Sequence, residues 1–225
     1  MPKRIQPPKP KSQQLLVEGK DDRHVIWALC ERYQIPETFS IEVPKEEDEM
    51  GGVEILLEGL PNKLEQKRLQ TLGIVVDADQ DLQARWHSIR SKLEIVGYQN
   101  IPNIPSPEGW IHTQAELPKI GVWIMPNNQL PGMLEDFVAY LIPTDDQLHP
   151  KAIEILEHLE ELTIHRYAEV KRPKALIHTW LAWQEKPGMP MGQAITAQVL
   201  TCNSTISETF INWLNSLFNS QDTDT

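Results

Sequence analysis

The sequence predicts an α/β fold, a mainly parallel sheet flanked by helices, with a helical C-terminal extension. Three observations carry the prediction. Short apolar runs alternate with segments of helical periodicity up to about residue 142, as expected when parallel strands are joined by crossover helices. From Pro150 onward every pattern is helical. The chain has 225 residues, 40% of them hydrophobic and 24% charged, enough for one sizeable core and ordinary for a globular protein.

Each element has its own signal. Residues 1–12 form a basic arm in which Lys3, Arg4, Lys9 and Lys11 are interleaved with Pro2, Pro7, Pro8 and Pro10. Proline at that density excludes helix and favours an extended arm, a candidate phosphate contact. "QQLLVEG" reads as a short buried strand ending at Gly19, and "DDRHVIWALCERYQI" as an amphipathic helix stopped before Pro36. "FSIEV" is a second strand, "KEEDEMGG" an acidic loop, and "GVEILLEGLPNKL" a helix that Pro61 interrupts or ends. "TLGIVVDA" is the next strand, followed by a helix from Leu82 to about Val96. The proline-rich stretch from Gln99 to Gln114 is irregular, with "GWIHTQ" as an edge strand or hairpin arm. "KIGVWIMP" is a strand and "GMLEDFVAYLI" the helix after it. "KAIEILEHLEEL", "PKALIHTWLAWQ", "GQAITAQVL" and "SETFINWLNSLF" are the helices of the extension, with "PGMPMG" as a turn between two of them. Leu176, Trp180 and Trp183, like Phe210, Trp213 and Leu217, recur at helical spacing and predict core-facing stripes.

No apolar run is long enough to span a bilayer, and no apolar segment follows the charged N-terminus. The expectation is a soluble cytoplasmic protein without a membrane partner. Cys30 and Cys202 form no C-x-x-C pair and read as buried thiols. The formal net charge of -11 argues against broad attraction to a phosphate backbone, although a local basic patch or a metal site would still admit nucleic acid. Phosphate-loop, dinucleotide-binding and nucleophile-elbow motifs are absent.

The chemistry concentrates in the carboxylates. Asp77, Asp79 and Asp81 follow a strand at alternating positions, so they share one side for as long as the chain stays extended. At an effective dielectric near 20, two carboxylates roughly 5 Å apart repel by about 3 kcal/mol, which divergence, protonation or a bound cation relieves. The same residues also suit an Asp-rich turn capping the next helix. In an open parallel sheet, ligands bind outside the carboxyl ends of the strands. Glu18 ends the first strand, with Asp22 four residues on, and Asp77 ends the third. Asn127 and Asn128, then Glu135 and Asp136, follow the "KIGVWIMP" strand. Oxygen ligands from three strand ends suit Mg²⁺ or Mn²⁺, whereas the seven scattered histidines disfavour zinc.

"LLVEGKDD" followed by "GIVVDADQD" resembles the Toprim domain, which carries a Glu after its first strand and an Asp-x-Asp after a later one. Topoisomerases, bacterial primases, small nucleases and the overcoming-lysogenization-defect nucleases share that arrangement. Through "VWIMPNNQLPGMLEDF" and "HTWLAWQ" the whole chain is similar to an uncharacterised Toprim-like family, a domain of unknown function related to those last nucleases. The resemblance implies a Toprim/Rossmann-like domain over residues 13–142, with residues 143–225 as a helical extension packed on it. It makes Glu18 the motif glutamate and Asp77 and Asp79 the Asp-x-Asp pair, with Asp22 and Glu135 at acidic positions that help hold metal. It also implies a basic residue near the metals. Lys174, in the first turn of the helix opened by Pro173, is the candidate, with Lys171 and Arg172 as competitors. In "MPNNQ" an asparagine stands where relatives are expected to have aspartate, which weakens a second metal site, and no tyrosine has a topoisomerase context.

Three functions compete. The first is a Mg²⁺- or Mn²⁺-dependent nuclease acting on DNA or RNA, with Glu18, Asp77, Asp79 and Lys174 catalytic and Glu18, Asp22, Asp77, Asp79, Asp81, Glu135 and Asp136 available to metal. The second is a non-catalytic Toprim-like module in a larger defence or repair complex. The third is a receiver-like phosphoacceptor at Asp77, which acetyl-phosphate labelling distinguishes.

Overall fold

A computed structural model describes residues 11–43 and 52–220. The arm up to residue 10 and most of the acidic loop lie outside the described residues. The chain runs β1 (Gln13–Val17), α1 (Lys20–Arg32), β2 (Ser40–Glu42), α2 (Val53–Leu64), β3 (Thr71–Asp77), α3 (Leu82–Val96), β4 (Trp110–His112) and β5 (Lys119–Met125). Then come α4 (Leu134–Ala139), α5 (Leu148–Glu161), α6 (Arg172–Ala182), α7 (Met191–Thr196) and α8 (Thr205–Phe218). One five-stranded sheet has the order β2-β1-β3-β5-β4. Every pairing is parallel except that of β4, which lies antiparallel on the edge as its short proline-flanked sequence predicts.

The central strands are buried on both faces, and their side chains divide by parity between two cores. Leu15, Val17, Val75, Trp123 and Met125 join α1, α4 and the helices of the extension. Leu16, Leu72, Ile74, Val76, Ile120, Val122 and Ile124 pack on α2 and α3. Ile177, Trp180, Ala194, Phe210, Trp213 and Leu217 thus belong to the same core as the sheet.

Glycines set how closely that extension approaches. Gly73 and Gly121 are register partners on β3 and β5, and a Cβ on Gly121 would stand 2.6 Å from Leu217 of α8. A Cβ on Gly192 of α7 would stand 2.7 Å from the backbone oxygen of His24 on α1. A backbone oxygen inside a helix cannot step aside as a leucine tip can. Gly192→Ala is therefore expected to separate α7 from α1 and lower stability by about 1–3 kcal/mol, the usual range for overpacking. Thermal unfolding checks this, and an unchanged melting temperature would show that the two helices slide freely.

Three elements depart from the sequence-based expectation. α2 runs through Pro61 to Leu64 instead of breaking, because Leu57, Leu60 and Leu64 are all buried and hold the last turn against the core. That packing offsets the hydrogen bond proline removes. α4 stops after six residues at Ala139. Trp183 is 40% exposed at the end of α6, whereas Trp180 is fully buried, so this stripe is one residue shorter than its spacing predicts. Among the described residues, no helix is long and apolar enough to cross a membrane.

Candidate functional site

Parallel register brings the candidate acids to one edge. Val17 pairs with Val75, and Asp77 with Met125, so Glu18, Asp77 and the loop after β5 all lie at the carboxyl ends of adjacent strands. Glu18 reaches across to β3, where its Oε1 accepts the Asp77 backbone N–H at 2.7 Å. Asp77 in turn accepts the Leu134 N–H at 2.9 Å through Oδ1, which ties β3 to the start of α4. Asp22, in the first turn of α1, is buried and accepts the Gly19 N–H at 3.0 Å. Glu135, in the first turn of α4, is also buried and lies 3.4 Å from Lys174 Nζ.

The electrostatics records the convergence. Burial pushes Asp77 well above the ordinary carboxylate range, and Glu18, Asp22, Glu135 and Asp79 push it in the same direction. Asp22 is raised to about 7 by burial, then by Glu18, with a smaller push from Glu135. Glu18 is raised by burial and by Asp79, against the pull of the Asp77 N–H, Arg85 and Lys171. Four carboxyl groups, Glu18, Asp22, Asp79 and Glu135, therefore act on the fifth, Asp77, at this edge.

Asp79 sits where the chain turns, with a left-handed backbone at φ 53 that Asp tolerates better than most residues. Its N–H donates to Gly132 O at 2.8 Å and its carbonyl accepts the Gly132 N–H at 2.7 Å, pinning the 126–133 loop to the end of β3. Its carboxylate pairs with Arg85 at 2.7 Å. Arg85 also donates through Nε to the Asp77 carbonyl at 2.8 Å. Sequence reasoning missed this arginine. Its only signal was a cation one turn beyond Asp81, on the helix that the Asp-rich turn opens.

Other predicted ligands serve the local backbone. Asp81 is the N-cap of α3 and accepts the Ala84 N–H at 2.9 Å, the capping alternative for that residue. Asp136 accepts the Met133 N–H at 2.8 Å and caps α4. Asn127 Oδ1 accepts the Gln129 and Leu130 N–H groups, and Asn128 Oδ1 accepts the Ile124 N–H, so both amide oxygens shape the loop. Among the basic candidates, Arg172 is paired with Glu160 at 2.8 Å, while Lys171 acts on Glu18 and Lys174 on Glu135. α6 begins at Arg172, so Pro173 is its second residue, and Lys174 lies in the first turn as the proline predicts.

All the donors at this edge are oxygens, which suits a hard divalent cation. Glu18 Oε2, Asp77 Oδ2 and Asp22 Oδ1 are the oxygens left over from the bonds above. Among the described residues, however, no group of three or more His, Cys, Asp or Glu side chains is already arranged to hold a metal ion. Asp79 spends Oδ2 on Arg85, so its Oδ1 is the oxygen left over there.

No curated protein and no solved structure matches the chain. A family model described as "Protein of unknown function (DUF3226)" matches residues 12–219, which take in the sheet, the acidic edge and the helices of the extension. The chain belongs to the DUF3226 family.

Proposed function

We propose that this chain is a Toprim-like phosphodiesterase, related to the overcoming-lysogenization-defect nucleases, that cleaves DNA or RNA with Mg²⁺ or Mn²⁺. The observation that carries the reading is the meeting of Glu18, Asp22, Asp77, Asp79 and Glu135 at one sheet edge, where the other four all oppose the ionisation of Asp77. Such a cluster is costly to ionise unless a cation offsets it.

Glu18, Asp22, Asp77 and Glu135 would hold the metal, with Asp79 joining through the Oδ1 that Arg85 leaves open. Bound there, a divalent cation supplies polarisation of the phosphate and a lowered pKa for an attacking water. The chain's own cations do the rest. Lys174, half-exposed and anchored on buried Glu135, offers its ammonium to charge developing on phosphoryl oxygens. Lys171 flanks Glu18, and Arg85 braces the Asp77 carbonyl so that the strand end keeps its direction. The paired Asp79 favours a second reading, a Toprim-shaped binding module within a defence or repair complex, in which the acidic edge binds metal or partner without cleavage.

The test is incubation of the purified full chain with single- and double-stranded DNA and RNA, in Mn²⁺, Mg²⁺ or EDTA. Cleavage in the metals alone supports the nuclease. Metal binding by calorimetry with every substrate intact favours the binding module. Lys174→Met is expected to lower cleavage by about 10²-fold, the scale for losing one transition-state charge contact, and to lower the melting temperature as well, because it leaves buried Glu135 without that cation; Lys174→Arg, which keeps the charge, separates the two effects. Cleavage at the parental rate would remove Lys174 from the mechanism.

A further inference from the structure

A groove of about 910 Å³ opens between α1 and α7. Trp27, Ile35, Met189 and Pro190 line it with apolar surface, and Glu31 and Glu37 outnumber Lys186 among its charged groups. Trp27 is 41% exposed, although Ala28 and Cys30 beside it on α1 are buried. The Arg23 guanidinium stands over its ring at 5.1 Å and the His24 ring lies 5.8 Å away, so the indole is held at the surface. Apolar surface rimmed by charge in this way marks a binding face.

We propose that the occupant of this groove is the chain's own basic arm, residues 1–10, docked as a polyproline helix. Lys11, where the described chain begins, donates to the carbonyls of Glu37 and Phe39, and Gln13 Nε2 donates to Thr38 O. The arm therefore departs beside the end of the groove that Glu37 lines. From Gln34 back to His24 the lining follows α1 and its last turn for about 15 Å, at about 1.5 Å per residue. Ten residues of polyproline helix reach about 31 Å, at about 3.1 Å each. Half the arm covers the groove, and the rest suffices to round the end of α1.

The sequence of the arm suits such a groove. At the three-residue period of a polyproline helix, Lys3, Gln6 and Lys9 fall on one edge, Pro2, Ile5 and Pro8 on the second, and Arg4, Pro7 and Pro10 on the third. Two edges are thus almost wholly apolar and one is polar. Proline-rich segments dock in aromatic-lined grooves through apolar edges of this kind, with little entropy to lose because proline has already fixed much of the backbone. Charge agrees with shape, since the arm carries Lys3, Arg4 and Lys9 and no acid, and the groove offers Glu31 and Glu37. Tethering supplies an effective concentration on the order of mM, so a weak contact fills the groove. Lys3 and Lys9 then face outward, still open to phosphate. The inference depends on neither cleavage nor metal.

The experiment places a nitroxide on the outward edge of the arm, at Gln6→Cys of the full chain, and reads the tryptophan indole N–H signals by NMR. Cys30 and Cys202 are buried, so the label goes to the arm. Trp27→Phe identifies the Trp27 signal, and Trp86 and Trp110, in the core across the sheet, serve as references. Relative to them, Trp27 is expected to lose about half its intensity or more, because the tethered arm fills the groove for most of the time. Ile5→Ser, Pro7→Ser and Pro8→Ser together keep every charge, precede β1 and are expected to restore the signal. Equal intensity at Trp27 and the references, or a loss that survives the serine substitutions, overturns the proposal. So does broadening of Trp27 by a nitroxide carried on a separate chain, which would place the arm of a second copy in the groove. A free peptide of residues 1–10 that binds the intact and the serine-substituted chains equally would mark a groove open to a separate partner, and it too overturns the proposal.

Discussion

Asp77→Asn is expected to reduce Mn²⁺-dependent cleavage by about 10²-fold or more, as loss of a direct metal ligand does, while leaving the fold intact. The side chain that replaces Asp77 is nearly isosteric, and its amide oxygen still accepts the Leu134 N–H that ties β3 to α4. What it loses is a charge that Glu18, Asp22, Asp79 and Glu135 all oppose. In EDTA the variant should therefore melt at the parental temperature or above it. The paired measurement is a cleavage assay in Mn²⁺ beside thermal unfolding in EDTA. A large fall in melting temperature without metal would identify Asp77 as a structural cap, and retained cleavage would take it out of the mechanism.

Stability without metal is expected to fall as pH rises from about 4 to about 7. Asp22 has its pKa raised from 3.8 to about 7 by burial and by its acidic neighbours, and Asp77 and Glu18 are shifted the same way. An acid with a higher pKa folded than unfolded binds more protons in the native state between the two values, so stability is greatest below the unfolded pKa and is lost as pH passes through the folded one. For Asp22 alone the loss is about 4 kcal/mol, on the rule of about 1.4 kcal/mol for each pH unit between the two values. Mn²⁺ should flatten the slope by supplying the missing charge, and Asp22→Asn should flatten it without metal, because its amide oxygen still accepts the Gly19 N–H. Thermal unfolding from pH 4 to pH 8, in EDTA and in Mn²⁺, reads both. Stability that rises across this window in EDTA would show that the cluster is not strained by its own charge.

The strand-to-helix alternation was legible because parallel strands buried on both faces leave apolar runs, and helices leave a 3.6-residue period. "TLGIVVDA" became β3 and "KIGVWIMP" became β5 almost residue for residue. The helix from Leu82 to Val96 ends where Gly97 takes a left-handed backbone, a stop signal written in one residue. Pro61 misled because local propensity says break, while Leu57, Leu60 and Leu64 say bury, and burial won.

For the site, the sequence by itself determined which acids lie at strand ends, since Glu18 and Asp77 each close an apolar run that reads as a strand, and it placed Glu135 early in the helix after the last of those strands. It also determined the family, through residues spread from 12 to 219. Only the tertiary structure decided how the acids are used. Asp81 and Asp136 cap the helices beside them, because a carboxylate next to free backbone N–H groups bonds them first. Asp22 and Glu135 are drawn in with the cluster because α1 and α4 enter the core at the sheet edge, and Arg85 meets Asp79 because α3 folds back over β3. Such pairings join residues on different elements, and no spacing along the chain encodes them. They arise where packing brings separate elements together, and packing there also removes the water that would otherwise have screened the charges.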